Sequence, residues 1–251
     1  LASHNPALVY VALTGYGQHG PYRDMAGHDI NYLAMAGVLD LIGPAGGAPV
    51  IPGVQIADLA AGSMRAVAGV LGALLERTRT GKGQLVDISM MHGSAMLLPL
   101  ALAQLSDGAP PRRGCATLSG RYACYRIYEA GDGRYLAVGA LEPRFWAVLC
   151  QALDCEEFIA DQFADDPRRS QIILHLEAVF RRRSAADWFH QLRRLDACVT
   201  PIRTLEEAAA DLGLVEPALE GPKLGEHTRQ VLTEAGYPDT DAVLADSGLP
   251  R

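Results

Sequence analysis

No two cysteines in this sequence stand at a spacing that builds a bridge or a metal site. The five are Cys115, Cys124, Cys150, Cys155 and Cys198. They form no C-x-x-C pair and no zinc-type cluster with histidine. Odd-numbered, scattered thiols exclude a disulfide framework and read as reduced, buried cysteine of a cytoplasmic protein. Aromatic residues are scarce at 6%, which argues against an all-β sandwich. Positive charge is also short: 22 Lys and Arg against 29 Asp and Glu leave a formal net charge of -7. A nucleic-acid partner is disfavoured on electrostatic grounds and none is expected, whereas a small anion can still be held by local cations or helix N-termini. No apolar run approaches the ~20 residues of a membrane span, so no membrane partner is expected. The opening Leu1-Ala2-Ser3-His4 has neither a signal-peptide pattern nor an initiator Met and reads as the start of a fragment or a trimmed chain.

What is present in abundance is glycine, 26 residues, within a composition that is 49% hydrophobic. This suits close helix–sheet packing in one large domain or two modest ones. Residues 8–13 are wholly apolar and run into Thr14-Gly15-Tyr16-Gly17-Gln18-His19-Gly20-Pro21. An apolar strand followed by a glycine turn predicts the centre of a parallel sheet with a ligand loop at its carboxyl end. A helical pattern covers 28–40, and a stronger one runs from Asp58 to about Thr80, where Gly81 supplies a stop. Residues 84–90 read as a strand and 91–105 as a helix. The alternation predicts an α/β layer with a mainly parallel sheet.

Residues 106–120 are rich in turn formers, so the linker is set at 108–120, between a large α/β domain over 1–107 and a smaller α+β domain over 121–205. In the smaller domain, Tyr122–Tyr128 and Arg134–Ala140 flank Gly131-Asp132-Gly133 as a hairpin. Helices follow from Pro143, over 168–182, from Ser184 and, through the Thr204/Glu207 capping signature, near 205. Residues 206–251 form a return segment and C-terminal helix or tail, polar and low in pattern after Pro238.

Three side chains stand out chemically. His28 lies in Gly27-His28-Asp29-Ile30-Asn31-Tyr32, beside a glycine-rich loop and at the start of a helix, where an imidazole can act as acid or base near neutral pH. Alone it reads more readily as a surface or capping histidine. Asp58 opens the long helix and on its own reads as an N-cap. Glu142 precedes Pro143 and reads as a charge at a helix N-terminus. Gly81-Lys82-Gly83 lacks the P-loop pattern and is a simple turn. No metal-ligand pattern appears.

Taken together, the blocks Thr14–Tyr22, Gly27–Tyr32, Asp58–Met64, Gly81–Asp87 and Gly139–Trp146 resemble, in order, those of the class III CoA-transferase and α-methylacyl-CoA racemase family. The resemblance covers residues 7–232. It implies a Rossmann-like large domain, a smaller domain, and a homodimer of two interlocked chains. It implies an acyl-CoA substrate, with coenzyme A as part of the substrate and no separate cofactor. The spacing from His28 to Asp58 matches the acid/base pair of racemases, and Glu142 matches a glutamate contributed by the second domain. Gly27, Asp29, Ile30, Asn31 and Tyr32 match the substrate- and CoA-binding stretch. In the racemase reading, His28 and Asp58 remove and return an α-proton on opposite faces of a 2-methylacyl thioester. In the transferase reading, the Asp58 carboxylate attacks the thioester and forms a mixed anhydride. A third reading follows from departures from the family pattern: a stretch ahead of Leu1 and a longer return near Leu214–Pro222 are lacking, which implies an incomplete or inactive member serving as a binding module.

Overall fold

The computed structural model describes residues 1–214, 221–237 and 239–246. Most of the segment 214–222 and the tail beyond Asp246 therefore lie outside the described residues. The chain divides into two compact units, Leu1–Ile202 and Arg203–Arg251.

The first unit opens on the expected apolar strand, β1 (Tyr10–Thr14). Helix α1 (Asp29–Met35) follows, ending earlier than the 28–40 pattern because Gly37 turns the chain at φ 78. A 3-10 turn spans Leu39–Leu41. The long helix then has two parts: a π-helical segment over Ala57–Met64, and α2 (Arg65–Thr80), which ends on Gly81 in the left-handed conformation. Next comes β2 (Leu85–Ser89), parallel to β1 in the register Tyr10↔Leu85 to Thr14↔Ser89. The expected helix over 91–105 is instead α3 (Met90–Ala95) and α4 (Pro99–Ser106). Pro99 has no N–H to continue α3 and occupies the first turn of α4.

The parallel sheet thus holds two strands among the described residues, fewer than a mainly parallel layer implies. Several apolar side chains stay bare around it. On the helix, Met64 is 70% exposed, Val67 58%, Leu71 61% and Leu75 66%. Their spacing puts them on one helical stripe. Ala57–Thr80 is 24 residues long and includes an 18-residue stretch, of mean hydropathy 1.4, that meets the length and composition of a membrane span, although Asp58 and Arg65 interrupt any continuous apolar run as the sequence shows.

Residues 121–202 form an antiparallel sheet backed by helices. Strands β3 (Tyr125–Glu129) and β4 (Tyr135–Gly139) make the expected hairpin. Helices α5 (Pro143–Ala152), α6 (Arg168–Phe180) and α7 (Ala185–Leu192) follow. Strand β5 (Val199–Pro201) pairs with β4 and was not legible in the sequence. Tyr128, Leu136, Val138 and Val199 from one sheet face pack on Trp146, Leu149, Leu176, Phe180 and Trp188. Both indoles are buried and satisfied, Trp146 Nε1 donating to Phe158 O at 3.0 Å and Trp188 Nε1 to Phe180 O at 2.8 Å. Cys124, Cys150 and Cys155 are buried free thiols, whereas Cys198 is exposed, against the expectation of burial.

In the second unit, α8 (Leu205–Leu212) carries the expected box: Thr204 Oγ1 accepts from Glu207 N–H at 3.2 Å, and the Glu207 carboxylate accepts from Thr204 N–H at 3.0 Å. Helices α9 (Thr228–Glu234) and α10 (Thr240–Asp246) are joined by an ion pair between Arg229 and Asp241 at 2.7 Å. The segment expected as a C-terminal helix or tail holds α10, although the pattern after Pro238 is weak.

Candidate active site

The Gly27–Tyr32 block is built around one aromatic ring. Tyr32, on α1, is buried with Leu33 in a small cluster that includes Tyr16, Val38 and Ala57. Tyr16 meets the Tyr32 ring edge-on, with centroids 5.1 Å apart. The glycines on either side permit this packing, because a Cβ on Gly15 would stand 2.4 Å from Tyr32 Cε1 and one on Gly27 would stand 2.7 Å from the Tyr16 hydroxyl. The Tyr32 hydroxyl donates to Gly27 O. The loop after β1 is thereby pinned to the start of α1. Burial first, then Tyr16 and the Asp58 carboxylate, raise the Tyr32 phenol above its ordinary value, so it stays neutral and Asp58 lies within its electrostatic reach.

His28 takes the N-cap position of α1 in an extended conformation, φ -129 and ψ 178. Its N–H donates to Asn31 Oδ1 at 3.0 Å, while its carbonyl accepts from the N–H of Asn31 at 2.8 Å and of Tyr32 at 3.2 Å. The residue is exposed, as are Ile30 and Asn31. The backbone of His28 is fixed and its ring faces solvent-accessible space.

Asp58 is not the cap of its helix, and here the sequence reading is corrected. The capping carboxylate is Asp29, whose Oδ1 accepts from the N–H of Ala57 at 2.6 Å and of Asp58 at 3.0 Å. These donors are the orphan N–H groups of a helix start. Since Asp29 satisfies them, the Asp58 side chain has no capping role, and among the described residues its carboxylate makes no hydrogen bond or ion pair. Ser63 Oγ donates to Asp58 O at 2.9 Å within the widened π-helical segment. Asp29 is thus both the neighbour of His28 in sequence and the clamp on the backbone of Asp58. Sequence reasoning grouped Asp29 with substrate contacts and missed this task, because the bond spans 29 residues. It also passed over Tyr16, whose only signal was its place in the glycine-rich loop.

Glu142 is exposed at the start of α5, its carbonyl accepting from Phe145 and Trp146 N–H. Its carboxylate bears on Cys198, and among the described hydrogen bonds none joins it to His28, Asp29 or Asp58. The structure of one chain therefore links Asp29, Tyr32 and Asp58, with His28 next to Asp29 along the chain. Of the histidines given no role, His92 Nδ1 lies 3.1 Å from Ser89 Oγ, the cap of α3. Among the described residues no group of His, Cys, Asp and Glu is arranged to hold a metal.

A family model described as CoA-transferase family III matches residues 1–228. The chain belongs to that family. It is 36% identical to α-methylacyl-CoA racemase of Mus musculus over 278 residues, which cover 98% of this chain and 72% of that protein. It is 29% identical to succinyl-CoA:glutarate CoA-transferase of Mus musculus, covering 95% of this chain and 62% of that protein. Among solved structures, a CAIB/BAIF family protein from Brucella suis superposes with a TM-score of 0.75 at 25% identity, covering 93% of this chain and 69% of that one. The mixed α/β fold, with a small parallel and a small antiparallel sheet among the described residues, matches that solved structure. This family III member is an enzyme of the isomerase or CoA-transferase kind, and an acyl-CoA substrate is consistent with its relatives.

Proposed function

We propose that this protein racemises the α-carbon of a 2-methylacyl-CoA thioester, with His28 and Asp58 as the acid/base pair. One observation carries the reading: the Asp29 carboxylate does the capping at Asp58, so the Asp58 side chain is held in place yet left unengaged, beside the helix that His28 starts. The α-proton of a thioester is weakly acidic, and its removal leaves an enolate whose charge needs stabilising. Neutral His28 takes the proton from one face. The protonated carboxyl group of Asp58 returns one to the opposite face, and the pair runs in reverse on the other epimer. Both protons then exchange with solvent. Gly27, Asp29, Ile30, Asn31 and Tyr32 form the nearby binding stretch in this reading.

The same proposal includes the two-domain layout and an interlocked homodimer in which Glu142 of one subunit meets His28 and Asp58 of the other. The bare stripe on α2 supports a partner surface of that kind. A cytoplasmic location belongs to the proposal as well.

The unengaged Asp58 carboxylate also favours a second reading, nucleophilic attack on the thioester with CoA passed to another acid. Deuterium uptake at the α-carbon of a 2-methylacyl-CoA in D₂O separates the two. Uptake without an acceptor acid, lost in both His28→Ala and Asp58→Ala, is the expected result. CoA exchange between acids with a hydroxylamine-trappable Asp58, and no α-deuterium, would replace racemisation by transfer.

A further inference from the structure

The spacing of Cys150 and Cys155 signals no bridge in the sequence, yet the fold seats both thiols in one turn. Helix α5 ends on a double closure. Asp154 N–H donates to Gln151 O at 3.3 Å and Cys155 N–H donates to Cys150 O at 2.9 Å, with Asp154 in the left-handed region at φ 54. Nested bonds of this kind around one left-handed residue make a Schellman turn, whose first and last side chains commonly meet in an apolar contact. Here those two positions are both cysteine. Each is 0% exposed, and both belong to the core that backs the antiparallel sheet.

The pair is held in place from both sides. Cys155 leads into a 3-10 helix, Glu156–Asp161. Trp146 Nε1 on α5 donates to Phe158 O in that helix at 3.0 Å, and Gln162 Nε2 at its far end donates to Ala140 O at 3.1 Å and Leu141 O at 2.7 Å. An N···O contact of 2.9 Å keeps the two Cα atoms within about 6.8 Å of each other, inside the span of a disulfide. The thiols also hydrogen-bond one another, Cys150 donating to Cys155. That bond lowers the Cys155 thiol, against burial and the charges of Glu157, Glu156 and Asp154, and raises the Cys150 thiol. The thiolate is the attacking form, so Cys155 is the sulfur that reacts first.

We infer that Cys150 and Cys155 form a peroxide-sensitive dithiol that closes to a reversible intramolecular disulfide at the end of α5. The Cys155 thiolate attacks hydrogen peroxide, an S–O bond forms as the O–O bond breaks, and the departing hydroxide takes up a proton to become water. Cys150 sulfur then attacks the Cys155 sulfenic acid. The S–S bond forms, the S–O bond breaks, and the leaving hydroxyl takes the Cys150 proton as a second water. Two thiols are oxidised, one peroxide is reduced, and a dithiol reductant restores the pair by exchange. The inference is independent of the racemase reading.

The test treats the folded protein with hydrogen peroxide, then quenches with iodoacetamide in urea and digests with trypsin. Cleavage after Arg144 and Arg168 leaves both cysteines in the peptide 145–168. That peptide is expected to lose two hydrogens and both alkylation sites, and to regain them after dithiothreitol. Cys124 is the control for burial, because it is also 0% exposed but hydrogen-bonds Gln162 and not a thiol. It should stay fully alkylated. Cys150→Ala removes the resolving thiol and should leave a dimedone-reactive sulfenic acid on Cys155. Oxidation of Cys124 in step with the pair would mean that peroxide enters only through unfolding, and it overturns the inference. Full alkylation of the peptide 145–168 at a peroxide dose that oxidises the exposed Cys198 overturns it equally, whatever the variant does.

Discussion

Removing the Asp29 carboxylate tests whether one side chain holds two reacting groups in register. In Asp29→Ala, the N–H groups of Ala57 and Asp58 lose the acceptor now at 2.6 and 3.0 Å. Loss of an N-cap costs about 1 kcal/mol, and the charge of the acceptor brings the expected destabilisation to about 2 kcal/mol. For a chain of this size that lowers Tm by roughly 4–8 °C. The catalytic effect should be larger. Without the clamp the start of the π-helical segment can drift from α1, and a misplacement of about 1 Å costs on the order of 100-fold in rate. Asp29→Asn separates charge from geometry, since one amide oxygen can still accept both bonds. That variant should keep most of the stability and lose about tenfold or less in α-exchange, because the hydrogen bonds persist without the full charge. The assay is α-deuterium uptake with kcat and KM resolved, beside thermal unfolding. The loss in the alanine variant should fall on kcat. A normal kcat at a lowered Tm would show that Asp29 holds the helix and does not align the site. Unchanged Tm and unchanged exchange would refute the clamp altogether.

Other expected outcomes concern packing, capping and charge. Gly93 brings α3 against the π-helical segment so closely that an added Cβ would lie 2.4 Å from Ala61 O; Gly93→Ala should cost about 1–3 kcal/mol in thermal or urea unfolding, and a neutral result would mean that the two elements are more loosely packed. Thr204→Ala removes half of the box on α8 and should lower local stability by about 1 kcal/mol, read as faster hydrogen exchange within 205–212 alone. Desolvation, then Glu142 and Asp196, raise the Cys198 thiol, with Arg144 partly offsetting them. Because the thiolate is the reactive form, alkylation of Cys198 should set in at higher pH than for a free thiol, and Glu142→Gln should move that onset down. An unmoved onset would remove Glu142 from the neighbourhood of Cys198.

What was legible in the sequence was whatever local chemistry decides. Gly81 as a helix stop, the hairpin at Gly131–Gly133, Pro143 at a helix start and the Ser184 and Thr204 caps all depend on neighbours within a few residues, and the structure holds each of them. The misses have a different origin. Asp58 has the look of a cap, but the cap is delivered by tertiary contact from Asp29, and no local pattern encodes that. The π-helical segment keeps an apolar composition that a periodicity reading treats as ordinary helix. Strand β5 has only 3 residues and ends in Pro201, too short for alternation to register. In α3 and α4 the apolar pattern runs through Pro99, and the pattern was followed where the proline should have decided.

The wide turn of the helix between Ala57 and Met64 has a further meaning. Such a segment amounts to one surplus residue in an otherwise regular coil. Excising a single position there would restore the ordinary pitch and rotate residue 58 by about 100° with respect to everything that follows it. The direction in which this acid points is therefore governed by chain length as well as by the side chain that anchors its backbone, and a one-codon insertion or deletion would re-aim it relative to α2.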